Sequence, residues 1–239
     1  MLEPHTAAGL VLATATVVVG VICLSLVSRR AQGVRSEKAL IATLGVPMVA
    51  ARPLAATDLA RQLTSHWFGC GRPVLAVVSA EARDGGTQVA AELARALARR
   101  GEPTLLIDAD FHAPSLHRAF GLRNRAGLAD FLEGRGTRLA HCEENLSVLV
   151  AGRAGADPLE LLSRPRMLEL LAAAGKRYRA VLVNTPAAAF GPDLQLSAAY
   201  AGGALVVARF STRSRALERL RDFLGFSRAR VVGTVLSPA

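Results

Sequence analysis

With 239 residues, 51% of them hydrophobic and 20% charged, the chain can bury one full domain plus a short extra segment and is not disordered. The formal net charge of +10 would suggest nucleic acid or anionic lipid, but the basic residues are nearly all Arg and no basic stretch is interleaved with aromatics, so nucleic-acid binding is excluded as the function class. Cys23, Cys70 and Cys142 have no CxxC or His partner at metal-ligand spacing, which is expected of unpaired, buried thiols in a reducing compartment.

The elements follow in chain order. Residues 1–6 carry an acid and no Lys or Arg, unlike the positive start of a signal peptide, and are read as a short non-cytoplasmic stub. The stretch Ala7 to Val27 has no charged residue and is long enough to cross a hydrocarbon core of about 30 Å, so residues 7–28 are expected to form a transmembrane helix. Arg29, Arg30, Arg35 and Lys38 follow it closely, and the positive-inside rule puts everything beyond in the cytoplasm. Residues 29–72, interrupted by Pro47 and Pro53, are expected to be a juxtamembrane linker with a short strand near Val46 to Ala50 and a helix from about Thr57 to Phe68.

From Pro73 the pattern turns regular. Strands are predicted at 74–79, 104–109, 146–150, 180–184, 204–209 and 230–236, and helices at 87–100, 127–133, 157–175, 193–201 and 213–225. Near-continuous apolar strands such as "VLAVVS", "TLLIDA" and "AVLVN" need cover on both faces, which parallel order with flanking helices supplies. The fold class is therefore α/β: a doubly wound, mostly parallel sheet over residues 73–239, preceded by one N-terminal transmembrane helix. Its ligand crevice should lie at the carboxyl ends of strands 74–79, 104–109 and 180–184.

Three of those strand ends carry motifs. "AEARDGGT", Ala80 to Thr87, occupies the frame of [GA]xxxxGK[ST], and Val89, Leu93, Ala96 and Leu97 share one face of the helix that follows. Ala80, Arg83, Gly85, Gly86, Thr87 and Gln88 are the candidate phosphate contacts, because amides at a helix N-terminus favour an anion. "LLIDADFHAPSLHRAFGL" puts Asp108 and Asp110 at the end of the second strand as the candidate catalytic carboxylates, and "VLVNTPA" puts Asn184 where a Walker-B carboxylate would stand. Thr87, Asp108 and Asn184 are the positions that would face a metal ion.

In family order, "SAEARDGGT", "LLIDADFHAP", "GLADFLEG", "DPLELL" and "VLVNTP" resemble the bacterial tyrosine kinases of the polysaccharide co-polymerase type, autokinases that regulate chain length and export of capsular and exopolysaccharides. "TLGVPMVAARP" also looks like their juncture between membrane helix and kinase domain, so the resemblance covers nearly the whole chain. It implies a P-loop NTPase-like fold, ATP and magnesium as cofactors, a location in the bacterial inner membrane with one pass and a cytoplasmic main domain, and a co-polymerase subunit or an active kinase relative as partner, in a homo- or hetero-oligomer.

The departures from that family concern the chemistry. Gly86 stands where the family has its loop lysine, whose contact with phosphate contributes about 1.5–3 kcal/mol to binding and more to the transferring phosphoryl group. Arg83 is the only cation in the loop. Asn184 keeps the shape of the Walker-B residue without its charge, and His112 and Ala113 stand where the second motif has Arg. The family's ExxRxxR assembly pattern is reduced to "DLARQLT", with Asp58, Arg61 and Thr64. The tyrosine-rich tail is expected to be missing, with Tyr178 and Tyr200 the only tyrosines. These changes imply a pseudo-kinase with weak ATP and magnesium binding, acting as regulator or scaffold. The competing readings are an active kinase or ATPase using Arg83 or a neighbouring subunit's residue, and a relative of the cell-division-site ATPases.

Overall fold

The computed structural model describes residues 48–50 and 56–237. The strands are β1 (Met48–Ala50), β2 (Val74–Ser79), β3 (Thr104–Asp108), β4 (Ala140–Glu143), β5 (Leu146–Leu149), β6 (Ala180–Asn184), β7 (Gly203–Ala208) and β8 (Arg230–Leu236). The helices are α1 (Ala56–His66), α2 (Gly86–Arg99), α3 (Leu116–Ala119), α4 (Leu128–Leu132), α5 (Pro158–Ser163), α6 (Pro165–Arg177), α7 (Pro192–Ala201) and α8 (Ser214–Ser227). Among the described residues the strands form one eight-stranded sheet in the order β1-β8-β7-β2-β6-β3-β5-β4, parallel except for the β4–β5 hairpin at one edge.

The sheet is covered on both faces, as its near-continuous apolar strands require. Alternation along β2 sends Leu75 and Val77 to one side, where Leu59 and Leu63 of α1 and Val89, Leu93 and Leu97 of α2 meet them. Ala76 and Val78 turn to the other side, against Leu194 and Ala198 of α7 and Leu217 and Leu220 of α8. Farther along that face Leu105 and Ile107 of β3 and Val181 and Val183 of β6 pack on α4, α5 and α6. The mostly parallel, doubly wound sheet is thus as the strand composition predicts.

The first helix belongs to the domain. Trp67, just past α1, donates its indole N–H to the Val74 carbonyl at 3.0 Å, and a Cβ at Gly203 would overlap the Trp67 ring. Only glycine lets the start of β7 accept that ring. The helices expected over 157–175 are two, separated where Pro165 pushes Arg164 into extended backbone (φ −65°, ψ 141°). The β4–β5 hairpin and α3 were not predicted; the hairpin turns at Asn145, a residue in the left-handed region with φ 62°. Cys70 is exposed, not buried, since it closes the 3₁₀ turn Phe68–Cys70 on the surface. No helix among the described residues is long and apolar enough to cross a membrane, and the apolar stretch 7–28 lies outside the described residues.

Candidate functional site

The chain crosses from β2 over β6 to β3 and later returns to β7 on the far side of β2, so the carboxyl ends of β2, β6 and β3 border the crevice where connections diverge. Cα register pairs Val77 with Asn184 and Asp108 with Asn184, bringing the three predicted motifs side by side.

The loop half starts from β2. After Ser79 the chain makes a 3₁₀ turn over Ala82–Asp84, passes through Gly85 in the left-handed region (φ 84°) and enters α2 at Gly86. A Cβ at Gly85 would stand 2.8 Å from Ser237 Oγ, so both conformation and space call for glycine there. Val89 N–H to Gly85 C=O, at 3.0 Å, is the first helical bond, which leaves the amides of Gly86, Thr87 and Gln88 ahead of the ladder. Gly86 is different: a Cβ there would meet Ser79 Oγ at 3.2 Å, a contact that a small shift relieves.

The loop is held in shape by side chains from the connection after β7. Asp84 is fully buried and accepts the Glu81 N–H at 2.8 Å and the Thr212 hydroxyl at 2.7 Å. Burial raises its pKa, a shift opposed by those two hydrogen bonds and by the Arg209 charge. Glu81 accepts Arg213 Nε at 2.7 Å and Arg83 Nε at 2.9 Å. Arg83, the cation of the loop itself, is therefore paired with Glu81, and its side chain is 58% exposed. Sequence reasoning missed Thr212, Arg213, Arg209 and Glu81. The signal of the first three, "ARFSTRS" after a strand, matches no motif until the sheet register sets Ser79 beside Val207, whereas Glu81 lies within the loop motif itself.

The β3–β6 half is arranged around Asp108, which is completely buried. Its Oδ1 accepts the Asn184 side-chain amide at 2.9 Å and the Asp110 N–H at 3.3 Å, and its Oδ2 accepts the Leu116 N–H at 3.2 Å. Burial pushes the carboxyl up to about 6, against the lowering effect of these donors. Asp110 turns its Oδ1 back to the N–H groups of His112 (3.1 Å) and Ala113 (2.9 Å). His112 reaches across to Asp193 of α7 (Nε2 to Oδ2, 2.6 Å) and stacks on Phe190 with centroids 4.7 Å apart, so it ties the two loops that flank the crevice. Thr87 accepts a hydrogen bond from Ser115 at 3.1 Å, a partner sequence reasoning did not single out although it lies within the quoted second motif.

Ala80, Gly85, Gly86, Thr87 and Gln88 thus share one turn, and Asp108 and Asn184 touch beside it. Of the pair Asp108 and Asn184, only Asp108 carries a carboxylate that a magnesium ion could use. Where a second carboxylate would be, an amide N–H points at Asp108, and the Asn184 Oδ1 is buried without a hydrogen-bond partner. Among the described residues there is no group of three or more Asp, Glu, His or Cys side chains placed to hold a metal ion. The loop amides, in contrast, remain suited to an anion.

No family model matches the chain. The tyrosine-protein kinase YwqD of Bacillus subtilis is 31% identical over 166 residues, which cover 67% of this chain and 70% of YwqD. The putative tyrosine-protein kinase EpsB of Ralstonia solanacearum is 38% identical over 130 residues, 53% of this chain but 17% of EpsB. Among solved structures, the kinase domain of the Escherichia coli tyrosine kinase ETK superposes with a TM-score of 0.73 at 27% identity, covering 77% of this chain and 74% of that domain.

Proposed function

Since the chain belongs to the family of bacterial tyrosine-protein kinases, we propose that it is a catalytically impaired member, anchored in the bacterial inner membrane, that serves as regulator or scaffold in exopolysaccharide or capsule synthesis and export. The observation that carries this reading is the contact between Asn184 and Asp108: a buried amide hydrogen-bonds the carboxylate at 2.9 Å where phosphoryl transfer needs a metal. Gly86 in the place of the loop lysine acts in the same direction, because transferring phosphate develops charge that a positioned cation must stabilise. Arg83, engaged by Glu81, supplies no obvious substitute.

The apolar stretch 7–28 and the Arg residues after it support the membrane anchor. With the phosphoryl-transfer groups changed and the fold kept, the surface of the domain is what a co-polymerase subunit or an active relative would engage.

The test is phosphate transfer from Mg·ATP to a tyrosine-containing copolymer by the wild type beside the double variant Gly86→Lys/Asn184→Asp. The expected result is no turnover by the wild type above background and a gain of several powers of ten in the variant. A wild type that already turns over at the variant's rate ends the pseudo-kinase reading.

A further inference from the structure

All strands but β4 are parallel, so the loops and helix ends that feed β8, β7, β2, β6 and β3 gather at one end of the domain, opposite the crevice. That end is strongly basic. Arg72 leads into β2, Arg99 and Arg100 close α2 ahead of β3, Lys176 lies in the last turn of α6 ahead of β6, and Arg228 and Arg230 stand at the entrance of β8. All six are exposed, and among the described residues none of them is ion-paired with a carboxylate. Neighbouring strands lie about 4.8 Å apart, so from β8 to β3 the basic strip is about 20 Å wide. The carboxylates at this end are Glu102, 3.9 Å from Arg179, Glu143, engaged by Arg95 at 2.8 Å, and Glu144 in the hairpin turn. They lie toward the β3–β4 edge and leave the entrances of β8 and β2 positive.

An aromatic side chain accompanies the charge. Phe226, in the last turn of α8, is 77% exposed, the most open of the large hydrophobic residues described, and stands two positions before Arg228. Arg228 itself holds a left-handed backbone (φ 56°), where glycine is the ordinary residue. The dipoles of α2 and α6 favour Arg99, Arg100 and Lys176 at their ends, but they do not account for Arg72 and Arg230, which stand at strand entrances, or for a phenyl ring left in water. At the crevice end the arginines are spent differently, since Glu81 holds both Arg83 and Arg213. The chain also arrives from the basic side: β1 is parallel to β8, so the backbone leads away from that end as it runs through Met48–Ala50. Residues 29–47 separate this strand from the apolar stretch 7–28, a reach of at most about 65 Å for a fully extended chain.

We infer that the amino-end face of the sheet is a docking surface for the anionic phospholipid headgroups of the membrane that holds residues 7–28, with Phe226 entering the boundary between headgroups and acyl chains. The inference rests on the membrane anchor of the proposed function and deepens it: the domain lies on the bilayer by its basic end, and the crevice faces away from the lipid toward a protein partner. Each exposed cation near an anionic surface shifts the docking equilibrium by about fivefold. Aromatic rings settle at the same depth, where their apolar body meets acyl chain. The tether holds the domain close to the surface, so contacts too weak to recruit a free protein suffice to orient this one.

The experiment places a Trp reporter at each end of the full chain: Phe226→Trp on the basic face and Phe210→Trp, a 55% exposed position beyond β7, at the crevice end. Each variant is reconstituted in vesicles of phosphatidylcholine alone or mixed in equal parts with phosphatidylglycerol, both with brominated acyl chains that quench Trp on contact. Trp67, buried at 2% exposure, gives a background read from the wild type. The reporter at 226 is expected to be quenched in the anionic vesicles and not in the neutral ones, and to recover in high salt, while the reporter at 210 stays bright throughout. Adding Arg72→Gln, Arg228→Gln and Arg230→Gln together should weaken docking by about a hundredfold and abolish the quenching, and Lys at the same three positions should restore it. Equal quenching in neutral and anionic vesicles, equal quenching at 226 and 210, or none at 226 overturns the inference. A reporter at 226 that ignores anionic lipid but responds to added RNA or polyglutamate gives the face to another polyanion and likewise overturns it. The lipid and salt comparisons need no charge variant, so they decide even if the triple variant does not fold. Alkaline extraction of the wild type reads the anchor separately: a chain that resists extraction with an unquenched reporter at 226 overturns this inference alone, whereas a released chain overturns the anchor and the inference with it.

Discussion

The two halves of the crevice spend their charges in different ways. In the loop half, a buried acid is satisfied by Thr212 and the backbone, Glu81 joins two arginines, and Arg209 stands against Gly85. In the β3–β6 half, a buried carboxylate accepts from the Asn184 amide and from the Asp110 and Leu116 N–H groups. The first arrangement leaves positive character toward solvent-borne anions. The second pairs a buried negative charge with an amide inside the domain.

Variants that reinstate or erode this asymmetry should differ in size. The largest effect is expected from Asn184→Asp alone, which sets two carboxylates against each other in a buried site. It should lower stability near neutral pH by about 3–5 kcal/mol. Added Mg²⁺ should raise the melting temperature of that variant and not of the wild type; equal response of the two would erase the distinction between the halves.

Next in size is a pH effect. Asp108 has its folded pKa raised from 3.8 to about 6, so the folded state holds the proton more tightly than the unfolded chain. Its contribution to stability is fully present below pH 3.8 and is lost as pH rises through 6, a loss of roughly 3 kcal/mol at about 1.4 kcal/mol per pKa unit. Asp84, also raised by burial, acts in the same sense. Chemical denaturation at a series of pH values should show this slope, and Asp108→Asn should flatten it.

A smaller change is expected on the loop side. Thr212→Val removes the hydroxyl from buried Asp84 and should cost about 1–3 kcal/mol in denaturant melts, the penalty of an unsatisfied buried acceptor. Smallest is Arg83→Ala, whose exposed ion pair with Glu81 should be worth at most about 1 kcal/mol, with nucleotide binding unchanged. A large loss of ATP affinity in Arg83→Ala would show that its exposed guanidinium leaves Glu81 for phosphate.

Much of the fold could be read along the chain. β2 and β6 run over the predicted spans 74–79 and 180–184, because near-continuous Val, Leu and Ala leave little choice, and β8 runs over 230–236 although Gly233 and Thr234 interrupt its apolar residues. The hairpin edge escaped notice: β4 alternates half-buried and exposed residues, and its turn depends on Asn145 taking a left-handed conformation, a weak local signal. The candidate site was legible in what it lacks, Gly86 for lysine and Asn184 for aspartate, but not in how the remaining groups are spent.

By itself the sequence determined the parallel, helix-covered sheet and the position of the turn at Gly85 and Gly86, since periodicity and residue type are local properties, and set beside the family it resembles it showed Gly86 and Asn184 at two positions where that family carries charge. Only the tertiary structure decided that Asn184 donates to Asp108, that Arg83 is engaged by Glu81 and that Arg209 stands at the loop. Those partners are brought together by the order of strands in the sheet, Thr212 and Asp84 lying 128 positions apart. Hydrogen bonds and charges act over a few ångströms of space, and distance along the chain carries no information about them until the strands are paired.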